Sequence, residues 1–208
     1  MAKAGRSVLS DTDSSGIGRS VKGLSETDSH DAGMPDVFGV RTADGMLYSF
    51  APICDRRSRV LVLGTMASPA SLRQGMYYGH PRNAFWQIVA ELCRETKPVA
   101  NDEKRALLLR RGVALWDTLR SCRREGALDS DIRSAQPNDI SSLLAACPDI
   151  KAVFLNGGAA YAYYKRYFAA EVKLPYYKMP STSPANAAGG YTAKFTAWQA
   201  LKPYLIIN

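Results

Sequence analysis

Short apolar runs, each followed by a helical pattern, constrain this chain more than any other feature. Residues 59–64 read RVLVLG. A strand with one wet face alternates apolar and polar residues, so an uninterrupted apolar run predicts a strand covered on both faces. Residues 112–116 (GVALW) and 151–155 (KAVFL) read the same way, and 176–179 predicts a shorter strand. Between them lie helical periods. In residues 83–95, Phe85, Ile88, Val89 and Leu92 fall on one helical face. Further helices are predicted over 102–111, over 138–146 with Asn138 as its cap and a stop before Pro148, over 159–169, and over 191–204. Ahead of this alternation, Asp44-Gly45 between two β-prone stretches predicts a hairpin over 38–50. Strands alternating with helices imply an α/β fold: a three-layer α/β/α sandwich around a mostly parallel sheet.

In such a fold the ligand site lies beyond the carboxyl ends of the strands. That rule selects residues 64–83, 116–118, 156–158 and 180–187, and these have unusual compositions. Segment 64–86 reads GTMASPASLRQGMYYGHPRNAFW. Its tyrosines, histidine, arginine and asparagine can hold a planar heterocycle, by an aromatic face and by hydrogen bonds. Tyr77 and Tyr78 can equally be half-buried core residues. Segment 180–187 reads PSTSPANA. Its prolines fix the backbone and its hydroxyls can donate to phosphates, although a plain connecting loop has the same composition. Asn156-Gly157-Gly158 allows close backbone approach. Asp117, just after a strand, is either a catalytic carboxylate or a helix cap or arginine partner.

Charge and cysteines narrow the chemistry. The formal net charge is +8, yet residues 1–34 carry −1, which leaves +9 on residues 35–208. A basic globular domain suits a polyanion such as a nucleic acid, although a basic surface also serves solubility. Residues 1–34 are rich in Ser, Gly and Asp, and the expectation there is a disordered polar tail. Cys54, Cys93, Cys122 and Cys147 form no CxxC pair, and His30 and His80 are the only histidines. Neither zinc nor an iron–sulfur cluster is supplied with its usual ligands, so no metal site is expected. Without an apolar span or a signal-type N-terminus, the expectation is a soluble cytoplasmic monomer with no membrane partner.

In order, LVLGTMASPASL, YYGHPRNAFW, GVALWD, VFLNGGAA and MPSTSPANA resemble the uracil-DNA glycosylase superfamily over about residues 50–204. The similarity is closest to the branch that removes hypoxanthine (deoxyinosine) from DNA. The resemblance implies a glycosylase domain over 35–208 that flips a deaminated base out of DNA and hydrolyses its N-glycosidic bond. It implies no cofactor. Gly64, Thr65, Met66, Tyr78 and Asn156 would bind the base. His80, Ser181, Thr182, Ser183, Pro184 and Ala185 would hold the DNA. Met66 departs from the pattern: the mismatch-specific branch has a catalytic asparagine there, and the uracil-specific branch draws an aspartate from the same loop. In the hypoxanthine branch the catalytic amide moves to a later helix, which points to Asn83, with Asp117 as the alternative. A uracil or mismatch glycosylase, or a binding protein of the same fold without catalysis, are the competing readings. Cysteine spacing excludes the iron–sulfur branches.

Overall fold

The computed structural model describes residues 38–207, so the expected tail over 1–34 lies outside the described residues. Four parallel strands form the central sheet: β2 (Val60–Gly64), β3 (Val113–Asp117), β6 (Ala152–Asn156) and β7 (Tyr176–Met179), in the order β3-β2-β6-β7. Every residue of β2, β3 and β6 is buried, as the uninterrupted apolar runs require. Helices α2 (Phe85–Leu92), α3 (Asn101–Arg110), α4 (Ile140–Ala146), α5 (Gly158–Tyr167) and α6 (Gly190–Trp198) flank the sheet. Helix α2 turns Phe85, Ile88, Val89 and Leu92 inward against this core. From β2 the chain goes to β3 on one side, and from β6 it goes to β7 on the other. The two connections part between β2 and β6, so a crevice opens beyond Gly64 and Asn156.

A second, antiparallel sheet was not legible. It has the order β1-β4-β5, with β1 at Met46–Tyr48, β4 at Leu119–Arg123 and β5 at Arg133–Pro137. The Asp44-Gly45 turn is present, with an Arg41–Leu47 bridge and Gly45 at φ 85°, but β1 pairs mainly with β4. One residue, Thr118, separates β3 from β4. Its backbone N–H and its hydroxyl both donate to the Gly64 carbonyl, at 2.9 and 3.1 Å.

Three local expectations are corrected. Asn138 does not cap α4; Asp139 does, accepting from Ser142 N at 2.8 Å. Asn138 is instead buried and donates to the Asp117 carbonyl at 2.9 Å and to Ser49 Oγ at 3.2 Å, which ties the junction between the sheets. The helix expected over 191–204 is α6 followed by a 3-10 turn over Gln199–Tyr204, since Pro203 lacks the N–H to continue it. The short helix α1 (Pro69–Gln74), capped by Ser68, falls in the segment 64–83, where no helix is expected from the sequence.

Candidate active site

A cavity of about 500 Å³ opens at the crevice, and every site residue singled out from the sequence lines it. Gly64, Thr65 and Met66 leave the end of β2; Asp117 ends β3; Asn156 ends β6; Ser181–Ala185 follow β7. Tyr78, His80 and Asn83 come from the segment between α1 and α2. Residues scattered over more than a hundred positions thus meet because parallel strands deliver their carboxyl ends to one side.

Strand register puts Asp117 beside Gly64. A Cβ on Gly64 would overlap Asp117 Oδ1 and come within 3.1 Å of the Tyr78 hydroxyl, so only glycine admits both groups here. The Asp117 carboxyl is buried, and its Oδ2 has no hydrogen-bond partner. Burial pushes it up to about 7, and the nearby Asp129 charge adds to this while Arg124 opposes it. Neither bland reading of Asp117 fits: it caps no helix, and Arg124 pairs with Asp129 instead.

Tyr78 has φ 53°, a left-handed backbone that a bulky side chain rarely adopts. Its ring packs on Phe85 at 4.3 Å, and its buried hydroxyl also lacks a partner. Burial first, then the Asp117 charge, raises the phenol well above its ordinary value. Tyr77 is core: its hydroxyl donates to Phe50 and Ala51 carbonyls, both at 3.0 Å.

Asn83 precedes α2. Its Oδ1 accepts the Phe85 N–H at 3.0 Å, while its amide nitrogen has no partner among the described residues. His80 accepts the Arg82 N–H on Nδ1 at 3.1 Å and closes the 80–83 turn. Met66 is buried in the small apolar cluster with Leu47, Leu119 and Cys122.

Asn156 and Thr182 form a clasp: the Asn156 amide nitrogen donates to Thr182 Oγ1, and Thr182 N–H donates to Asn156 Oδ1, both at 2.9 Å. Gly157, at φ 107°, lets Ser181 approach; a Cβ there would sit 3.0 Å from Ser181 Cβ. The same loop is held by Ala84 N–H to Thr182 O at 3.0 Å, Lys194 Nζ to Ser183 O at 3.1 Å, and Trp198 Nε1 to Pro180 O at 3.0 Å. Ser181 Oγ and Ser183 Oγ each accept a backbone N–H at 3.2 Å, which leaves their own protons to donate elsewhere.

Sequence reasoning missed Arg124 and Asp129, which also line the cavity. Both lie on the excursion between β4 and β5. Arg124 is buried; Nη1 meets Asp129 at 3.2 Å and Nη2 donates to Ala67 O at 2.5 Å, while Nε has no partner. In SCRREGALDSD they look like any solvated charge run, and no local signal marks one arginine as buried. Among the described residues no group of three or more metal-ligating side chains is found, and no helix is long and apolar enough to cross a membrane.

A family model described as the uracil DNA glycosylase superfamily matches residues 51–202. A hypoxanthine DNA glycosylase of Methanosarcina acetivorans is 33% identical over 140 residues, covering 66% of this chain and 86% of that protein. One from Methanosarcina barkeri is 34% identical over 109 residues, covering 52% of this chain and 69% of that protein. A candidate uracil DNA glycosylase from M. acetivorans, solved by solution NMR, superposes with a TM-score of 0.65 at 27% identity, covering 76% of this chain and 99% of that one.

Proposed function

Since the chain belongs to the uracil DNA glycosylase superfamily, we propose that it is a monofunctional DNA glycosylase that excises a deaminated base, hypoxanthine foremost. The product would be an abasic site that enters base excision repair. The convergence of Tyr78, Asn83, Asp117, Asn156 and the 181–185 loop on one cavity with room for an extruded nucleotide carries this reading. The hypoxanthine DNA glycosylases at 33 and 34% identity favour that base over uracil.

Breaking an N-glycosidic bond builds positive charge on the sugar and negative charge on the departing base. A water must be held under the sugar while the base is stabilised. Asn83 orients that water: its amide nitrogen is free, and Oδ1 keeps a second lone pair beyond the one given to Phe85 N–H. This is positioning rather than proton abstraction. Met66, in the place where related branches put their polar catalyst, can do neither. The half-buried Tyr78 ring stacks on the extruded base. Ser181 and Ser183, whose hydroxyls keep a proton to donate, and His80 hold the DNA backbone. Water and the strained nucleotide suffice, so no cofactor is required.

Incubation with duplexes bearing hypoxanthine, uracil, xanthine or mismatched thymine, followed by alkali, tests the reading. Strand breaks strongest at hypoxanthine are expected; no breaks at any base would sink it. Met66 favours one competing reading, a DNA-binding protein without catalysis, which predicts binding to the same duplexes and no breaks.

A further inference from the structure

Among the described residues, buried side-chain polar atoms without a partner are few: Tyr78 Oη, Asp117 Oδ2, Arg124 Nε and Tyr164 Oη. All but the last belong to residues that line the cavity described above. Native proteins rarely leave such groups unsatisfied, and a cluster of them on residues around a cavity points to a ligand that satisfies them. The surroundings keep these groups in place. Two Arg124 nitrogens are committed to Asp129 and Ala67, which fixes the guanidinium, and its Nε–H has no partner. Gly64 keeps room for Asp117 and the Tyr78 hydroxyl side by side. The site therefore holds a carboxyl that accepts once ionised, guanidinium N–H groups that can only donate, and one hydroxyl that serves as either.

We propose that Asp117 and Arg124 read the pairing edge of the extruded base, Asp117 accepting its ring N–H while Arg124 donates to its carbonyl. This rests on the function proposed above and names the side chains that select its base. Deamination turns the acceptor ring nitrogen and exocyclic amino donor of adenine or cytosine into a ring N–H donor and a carbonyl acceptor. With Asp117 ionised, above about pH 7, this set is complementary to that deaminated edge. In that form it opposes the parent edge at both points, with the carboxylate against a lone pair and a guanidinium N–H against an amino group. Asp117 then has a task separate from that of Asn83, which holds the water.

The test is single-turnover excision of hypoxanthine and of 1-deazahypoxanthine, its isostere with C–H in place of N1–H, by the full chain and by Asp117→Asn. Any difference in leaving-group quality is common to both proteins and cancels in the ratio of ratios. The chain as it stands is expected to prefer hypoxanthine by roughly 10- to 100-fold more than Asp117→Asn does, the range for a hydrogen bond to a charged group. An equal preference in both proteins overturns the proposal. A second measurement needs no variant. Free hypoxanthine is expected to inhibit more strongly than free 1-deazahypoxanthine, and equal inhibition overturns the proposal too. Excision of hypoxanthine by the unaltered chain is the control: its presence keeps the function standing when the edge-reading fails, and its absence overturns both.

Discussion

Asp117→Asn should change how stability depends on pH, in a direction opposite to the usual effect of losing an aspartate. Burial raises the Asp117 carboxyl from 3.8 to about 7 in the folded protein. Between these values the folded chain holds a proton that the unfolded chain has released, so stability falls as pH rises. Below about 4 both states are protonated, and above about 7 both are ionised, so the effect lies between. At about 1.36 kcal/mol per pKa unit, the cost of ionising Asp117 in place reaches about 4 kcal/mol on the alkaline side. Asp129 raises and Arg124 lowers this group, so the figure belongs to the cluster. An asparagine never ionises. It leaves a buried amide unsatisfied, worth about 1–3 kcal/mol at every pH. The difference between variant and parent should therefore shift in favour of the variant as pH rises from 4 to 8. At about 2–4 °C per kcal/mol for a domain of this size, thermal melts would show a relative gain on the order of 10 °C. A difference that stays flat across this range would refute the reasoning. So would one that grows in favour of the parent as pH rises.

Other consequences are as direct. Asn83→Ala should slow hypoxanthine excision by on the order of 10²-fold with little change in DNA affinity; near-normal single-turnover rates in a protein that melts lower would mark Asn83 as a cap for the Phe85 N–H, worth ~1 kcal/mol. Tyr78→Ala should weaken excision more than nonspecific duplex binding, because stacking matters only once the base is out; equal losses would place Tyr78 in the fold or on the DNA surface. DNA affinity should fall steeply between dilute and physiological salt, given +9 on residues 35–208; an affinity indifferent to salt would argue against a DNA partner. Gly64→Ala should abolish excision and lower the melting temperature, since its methyl meets Asp117 and the Tyr78 hydroxyl; an active, stable variant would show that the two side chains have room to retreat.

The parallel sheet was legible because VLVL, VALW and AVFL are buried on both faces and say so in their composition. The antiparallel sheet was not, because LRSCR and RSAQP mix charge, hydroxyl and proline. Strand β5 is largely exposed, and its register against β4 shifts twice. Missing that sheet hid Arg124 and Asp129, which it brings over the cavity. Asn138 and Asp139 are both good caps by type, and only the burial of one beside Ser49 separates them. The carboxyl-end rule found the loops of the site. It had no means of finding a side chain delivered from outside the sheet it describes.

The clasp between Asn156 and Thr182 has a mechanical consequence. Strand β6, Ala84, Lys194 and Trp198 all hold the 180–183 backbone. A loop so anchored is a rigid anvil, set before any duplex arrives. Change of shape on docking then falls to the DNA, which has to bend and unstack to fit. A sound, well-stacked pair resists that deformation, whereas a wobbling one yields for less. The enzyme would gauge the stiffness of the duplex before it inspects any base, and lesions would reach the cavity more often because they are soft.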